Sequence, residues 1–387
     1  MPTLNLPTAG GALEPFAISE PVAFPAPEPP FSRVALVAAH VVADPAADND
    51  PWLETALDLE ATIRYRRYLW SLGLGVAEAM DTAQRGMGLG WTEAKELIGE
   101  TVAAARHVPG TVLYCGCGTD HLAPGAGVSL DEVTRAYEEQ VGFVEQLGGR
   151  VILMASRALA ASARSPDDYI AVYDRILGQV SEKVIIHWLG EMFDPALEGY
   201  WGHRNHLDAM EVCLAVIERA AARVDGVKIS LLDKEKEIVM RRRLPEGVRM
   251  YSGDDFNYAE LIEGDELGYS DALLGIFDAI APAAAGALTV LARGDRDRFH
   301  RILAPTVPLS RHIFRAPTRF YKTGVVFMAY LNGHQDHFAM VGGQQSARSA
   351  AHLAELFRLA DAAGLLRDPD VAADRMKRYL AVGGFVD

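Results

Sequence analysis

Positive charge is scarce in this chain. Its 387 residues carry 37 Lys and Arg against 52 Asp and Glu, a formal net charge of −15 at pH 7. The pI is near 5.2. Nucleic acid and anionic membranes attract the opposite balance, so neither is expected as a partner. Cysteine is scarcer still. Cys115, Cys117 and Cys213 are the only three, an odd and small number that fits a reducing cytoplasm rather than a disulfide scaffold. No run of about 18 apolar residues is free of charge, so no helix is expected to cross a membrane. No basic start precedes an apolar run, so no signal peptide is expected. No Gly-x-Gly-x-x-Gly follows a candidate strand, which disfavours a dinucleotide-binding open sheet.

Apolar residues are plentiful, at 50% of the chain. That suits one barrel of about 250 residues with additions, or two ordinary domains. Residues 1–30 hold a dense series of prolines from Pro2 to Pro30. Regular structure is not expected there. Leu4, Leu6, Phe16 and Phe24 make the segment too apolar for a free tail, so it reads as an extended arm over the body or a neighbouring subunit.

Strand and helix patterns then alternate. Apolar strand candidates lie at 33–40, 75–81, 111–115, 151–155, 183–189, 224–230, 249–252 and 271–276. Trp52 to Leu72 has helical periodicity, and Thr92 is placed to cap a helix running to about Arg106. Ser129-Leu-Asp-Glu132 is a capping box, and Ser165-Pro-Asp-Asp168 opens another helix. Near-continuous apolar strands separated by helices mean a parallel sheet covered on both faces. Eight such units predict a (β/α)8 TIM barrel over 33–281, after an arm at 1–32 and before a C-terminal helical extension at 282–387. The apolar arm and tail predict a homo-oligomer, a dimer or tetramer.

Val224-Asp225-Gly226-Val227-Lys228-Ile229-Ser230 places a lysine inside an apolar strand. Lysine is almost never buried unless paired or used. One reading is a strand-end lysine snorkelling to solvent. The other is a buried amine with a lowered pKa, a nucleophile toward carbonyl carbon. In a barrel, function gathers at the C-terminal ends of the strands. The polar residues there are His40, Asp81, Thr82, Gln84, Arg85, Cys117, Ser156, Arg157, His187, Trp188, Glu191, Ser252, Asp254 and Asp255. Several have a plainer reading. Asp81 and Arg85 could form an ion pair. Asp254 and Asp255 could cap the next helix. His187 could be a satisfied core histidine. The aromatic, charged loop from Glu191 to His203 could cover the mouth or pack on itself. His203-x-x-His206 and His334-x-x-His337 have metal spacing but no carboxylate motif, and read as surface. Cys115 and Cys117 read as buried small hydrophobes.

Gly226-Val227-Lys228 followed by Ser252-Gly253-Asp254-Asp255 resembles the dihydrodipicolinate synthase and N-acetylneuraminate lyase superfamily. There a Gly-Ile/Val-Lys strand supplies an imine-forming lysine, and a Ser-Gly-Asp-Asp turn begins the seventh loop. Asp278-Ala-Ile-Ala-Pro282 is similar to the family's Asn-Val-Ala-Pro. Leu89-Gly-Trp-Thr92-Glu93 resembles its Leu-Thr-x-Glu helix start. The resemblance runs in order over 33–345. It departs from the family at Met80-Asp81-Thr82-Ala83-Gln84, where the carboxylate-binding Gly-Thr-Thr-Gly-Glu would stand and only Thr82 lines up. The fifth-strand tyrosine falls at Trp188, and the fourth-strand tyrosine near Ser156-Arg157. Tryptophan has no proton to relay. The pattern is that of a divergent branch.

What the resemblance implies is a class I, Schiff-base lyase or hydro-lyase. Lys228 would be the nucleophile. The resemblance supplies no base here, and His187 is the natural replacement because an ordinary pKa near 6.5 suits proton transfer, with Asp81 in the same mouth. Thr82, Gln84, Arg85, Ser156, Arg157, Trp188, Glu191, Ser252, Asp254 and Asp255 would surround a small oxo acid or sugar-derived carbonyl compound. No cofactor is expected. Two rival readings stand beside it. In one, Asp81, His187, Glu191 and Asp254 hold a divalent ion for an aldolase or isomerase. In the other the barrel is a non-catalytic binding protein.

Overall fold

The computed structural model describes residues 2–8 and 10–385. The proline-rich N-terminus departs from expectation, because it is not irregular throughout. β1 (Thr3–Pro7) and β2 (Leu13–Ala17) pair antiparallel, with Asn5 opposite Pro15. In a two-stranded ribbon each strand is an edge, so a proline that lacks an N–H does not break the ladder. Alternation does the rest. Leu4 and Leu6 point the same way and are buried, while Thr3 is exposed.

The chain divides into two compact units. The first comprises Arg33–Ala39 and Leu74–Leu274. It holds β3 (Ala35–Ala38), β4 (Gly75–Glu78), β5 (Leu113–Cys117), β6 (Arg150–Met154), β7 (Val184–Leu189), β8 (Val224–Ser230), β9 (Arg249–Ser252) and β10 (Asp271–Leu274). Neighbours pair parallel in the order β10-β3-β4-β5-β6-β7-β8-β9, which closes a barrel. With helices between the strands, this is the expected (β/α)8 architecture. Successive side chains on a strand point to opposite faces. Leu36, Ala77, Tyr114, Ile152, Ile185, Tyr251 and Leu273 meet in one core cluster. Those residues fix which positions of each strand face that core.

Local signals explain the helices of this unit. At Leu130–Gln146, the Ser129 hydroxyl accepts the Glu132 N–H while the Glu132 carboxylate accepts the Ser129 N–H. At Pro166–Leu177, the Asp168 carboxylate accepts the Ser165 N–H. The helix expected to start at Thr92 is Trp91–Ala105, with Gly90 as its cap.

The second unit comprises Met1–Ser32, His40–Gly73 and Gly275–Asp387. Helix Leu59–Ser71 starts later than Trp52, because the Asp58 carboxylate accepts the Ala61 N–H and fixes its first turn. Beyond residue 275 the unit is helices and turns, including Ala281–Ala292, Thr306–Ile313, Tyr321–Leu331 and Ala350–Ala362. The arm lies against two glycines. A Cβ on Gly286 would come 3.0 Å from Pro25, and one on Gly364 would come 2.2 Å from Val22. Among the described residues, no helix is long and apolar enough to cross a membrane.

Candidate active site

Lys228 sits on β8 with a relative exposure of 6%. Gly226, two residues earlier on the same face, is pressed by the Tyr251 ring of the core cluster. Lys228 therefore points into the barrel rather than toward the helices. Gly253 supports the placement, because a Cβ there would lie 2.8 Å from Lys228 Cε and 2.3 Å from Ser230 Oγ. Burial pushes the amine below its ordinary pKa, and the carboxylates of Asp81 and Asp255 pull the other way.

His187 is the register partner of Lys228 on β7. It shares a face with Ile185 of the core cluster and is 1% exposed. Burial, reinforced by the Lys228 charge, holds its imidazole well below the usual histidine range. The ring is therefore neutral at pH 7. Its Nδ1 lies 4.0 Å from Asp81 Oδ2, and its Nε2 lies 3.4 Å from Ser230 Oγ. Asp81 opens the turn Asp81–Ala83 directly after β4. The structure thus brings Lys228, His187 and Asp81 together, from two strands and the turn that follows a third.

Other expected residues are employed elsewhere. Arg85 does not pair with Asp81. It pairs with Asp120 and also donates to Gln140 and to the carbonyls of Ala79 and Gly116. Two carboxylate oxygens and three other acceptors hold that guanidinium, so it braces the loop after β4. Thr82 and Gln84 are buried in the same loop, where Gln84 has a left-handed backbone and donates to the Met87 carbonyl. Ser156 caps helix Arg157–Ser162 and meets Thr119 at 2.5 Å. Asp254 accepts the N–H groups of Phe256 and Asn257 and the Asn257 side-chain amide, a turn-capping role. Ser252 donates to Glu237. Asp255 is buried and acts on Lys228 through its charge.

Trp188 corrects the expectation that it lines the mouth. It neighbours His187 on the strand and so faces the opposite way, where it packs edge-on against Trp201 and His206. Glu191 is bonded to His206 at 3.1 Å. The four residues of the metal reading are not assembled. Among the described residues, no group of three or more His, Cys, Asp or Glu side chains is placed to hold a metal ion. Cys115 and Cys117 are free and buried, and burial raises both thiols.

A cavity of about 80 Å³ opens at this end of the barrel. Asp81, His187, Arg85, Arg157 and Met154 line it, with Asp194 and Leu197 from the loop after β7. Arg157 is ion-paired to Asp194, which ties that loop to the cavity wall. Lys228 is not among the walls; it stands beside His187 on the next strand. A larger cavity, about 310 Å³, lies in the second unit among Tyr65, Tyr68, His334, Asp278 and the arm. His40, expected at a strand end, is buried in that unit with Nδ1 2.8 Å from Asp278.

Sequence reasoning missed Ser230 and Glu237. Ser230 was findable, since it follows Lys228 by two residues on one strand and must share its face. Glu237 gave no signal. It lies in a charged helix, yet it is 1% exposed.

Solved structures with this fold are numerous. A dihydrodipicolinate synthetase from Pseudomonas aeruginosa, described as putative, is 17% identical, with a TM-score of 0.64 over 86% of this chain and 99% of that one. Dihydrodipicolinate synthase from Aquifex aeolicus is 13% identical, with a TM-score of 0.64 over 86% and 99%. A prophage protein of the dihydrodipicolinic acid synthase family from E. coli K12, solved with pyruvate, is 12% identical, with a TM-score of 0.67 over 86% and 99%. At those identities the likeness establishes the fold. No curated protein sequence matches the chain. A family model matches residues 4–385, nearly the whole sequence, and by that match the chain belongs to the family described as protein of unknown function (DUF993).

Proposed function

We propose that the chain is a Schiff-base lyase or hydro-lyase that acts on a small oxo acid or sugar-derived carbonyl compound through Lys228. The observation that carries this reading is a lysine amine buried in the barrel, with its pKa depressed, beside a neutral histidine. The neutral amine attacks the carbonyl carbon, water leaves, and an iminium forms. The iminium draws electrons from an adjacent C–H or C–C bond. His187, uncharged at neutral pH, accepts the released proton. Asp81 lies within reach of His187 and would hold the ring as its charge develops. The enamine so formed takes up a proton, or expels a β-hydroxyl as water with a proton's help, which restores an imine, and its hydrolysis releases the product and returns the amine.

The test is reductive trapping. The protein is incubated with a panel of oxo acids and keto sugars, with and without borohydride, and its mass is measured. The expected result is a substrate-dependent mass gain located at Lys228. Lys228→Met keeps the side-chain volume and removes the nucleophile, so trapping and turnover should both vanish while the fold persists. Turnover in that variant would overturn the proposal. His187→Asn should still form the adduct but turn over about 10²- to 10⁴-fold more slowly. A homo-oligomeric assembly and a cytoplasmic setting belong to the same proposal. Light scattering that returned the chain mass of 42.0 kDa would remove the assembly.

A further inference from the structure

One cavity of the second unit gathers the start of a helix, two arginines and two histidines beside two carboxylates. Helix Ala350–Ala362 begins at Ser349, whose hydroxyl accepts the His352 N–H. The first amides of any helix lack acceptors within it and carry a partial positive charge. A cavity of about 440 Å³ opens there, and Ser349, Ala351, His352, His312, Arg315 and Arg358 line it. The His352 ring is stacked on that of His312, with centroids 4.0 Å apart. His352 is 3% exposed, and neither of its ring nitrogens has a hydrogen-bond partner. Arg348 is 9% exposed and donates to the carbonyls of Arg315 and Pro317 rather than to a carboxylate.

Burial with no compensating carboxylate holds His352 down to about 3, and His312, Arg348 and Arg315 all push in the same direction. Two acidic side chains also line the cavity, Glu14 and Glu355. Glu355 is engaged by Arg358. Buried positive charge is costly unless a counter-charge meets it. Arg358 is turned to Glu355 and to the carbonyls of Leu6 and Pro7, which leaves Arg315 as the cavity's uncommitted guanidinium among the described residues.

We propose that this pocket at the start of helix Ala350–Ala362 binds a phosphate group, free or as a phosphomonoester. A tetrahedral dianion would take the first helical amides and the Arg315 guanidinium at once, and His352 would become a donor on protonation. The site rests on residues separate from Lys228 and is independent of the Schiff-base reading.

The full-length protein is titrated with inorganic phosphate, and separately with glycerol 3-phosphate, against sodium chloride at matched ionic strength. Calorimetry reads the affinity, and NMR of the histidine ring carbons reads the titration of His352. The expected result is saturable binding that chloride does not reproduce, together with an upward shift of the His352 titration. Whichever of the two ligands binds more tightly names the source. Arg315 is exposed, and its side chain makes no ion pair among the described residues, so Arg315→Gln should fold normally and bind about tenfold more weakly. His352→Gln, which cannot be protonated, should also weaken binding. Binding that is no stronger than chloride, or that survives unchanged in Arg315→Gln, would overturn the proposal.

Discussion

At the scale of single residues, the site turns on how much the charge of Asp81 offsets the burial of Lys228. Burial lowers the amine's pKa from its ordinary 10.5, while Asp81 and Asp255 raise it. Only the neutral amine attacks a carbonyl, so imine formation should rise with pH through the depressed pKa and level off above it. Asp81→Asn removes one of the two charges that favour the ammonium. The midpoint of the rise should then move to lower pH. An unchanged midpoint, measured as the pH dependence of trapping rate, would show that Asp81 does not act on the amine. Gly253 offers a second test. A methyl group there meets Ser230 Oγ, the Ile229 carbonyl and Lys228 Cε, all within 2.8 Å. Gly253→Ala should therefore displace the lysine and lose most activity, and a fully active, stable variant would show that the lysine's position is not critical. Lys228 and His187 were legible in the sequence because each is a polar residue in an apolar strand. The working partner of Arg85 was not, since Asp120 lies 35 residues away and only the fold brings it near.

At the scale of elements, the helix Lys234–Arg241 is joined to two strands by one buried carboxyl. Glu237 accepts from Ser252 at the end of β9 and from Ser270 just before β10. Burial raises its pKa from 4.5 to about 8. A folded-state pKa above the unfolded one gives a contribution fully present below 4.5 and lost as pH rises through about 8. Each pH unit in that window should remove up to about 1.4 kcal/mol. Glu237→Gln keeps a neutral group of the same shape, so its stability should fall less steeply and should exceed that of the parent above pH 8. Chemical denaturation at several pH values compares the slopes, and equal slopes would sink the argument. Elements with local punctuation were legible. Ser129 and Glu132 announced their helix because both bonds of the box lie within four residues. Elements set by distant contacts were not. The β1–β2 hairpin contains Pro7 and Pro15, and its register depends on burying Leu4 and Leu6 rather than on strand propensity. Trp188 was misassigned for a related reason: a residue buried on both sides of a sheet leaves no alternation to reveal its face.

At the scale of the whole molecule, the barrel was legible because eight apolar strands recur with helices between them, and closure follows from the count. Its relation to known structures at 12 to 17% identity shows how little of the sequence that repeat constrains. The expected oligomer drew on the apolar arm, yet Leu4, Leu6 and Ile18 are buried within a single chain. Net charge leads to a firmer expectation. The excess of −15 repels itself across the whole surface. Opposing this are exposed ion pairs such as Arg219–Asp174 and Arg243–Glu211, each worth about 0–1 kcal/mol. Salt weakens both, but the repulsion acts over longer distances and is screened first. The Debye length falls from about 30 Å at 0.01 M salt to about 10 Å at 0.1 M. Ion pairs at contact distance keep most of their attraction across that range, whereas charges tens of ångströms apart lose theirs. The melting temperature should therefore rise with sodium chloride over this interval, by about 1 °C for each kcal/mol of repulsion removed, given an unfolding entropy of about 2.1 cal/mol/K per residue. A fall in melting temperature would mean that the surface pairs outweigh the net charge.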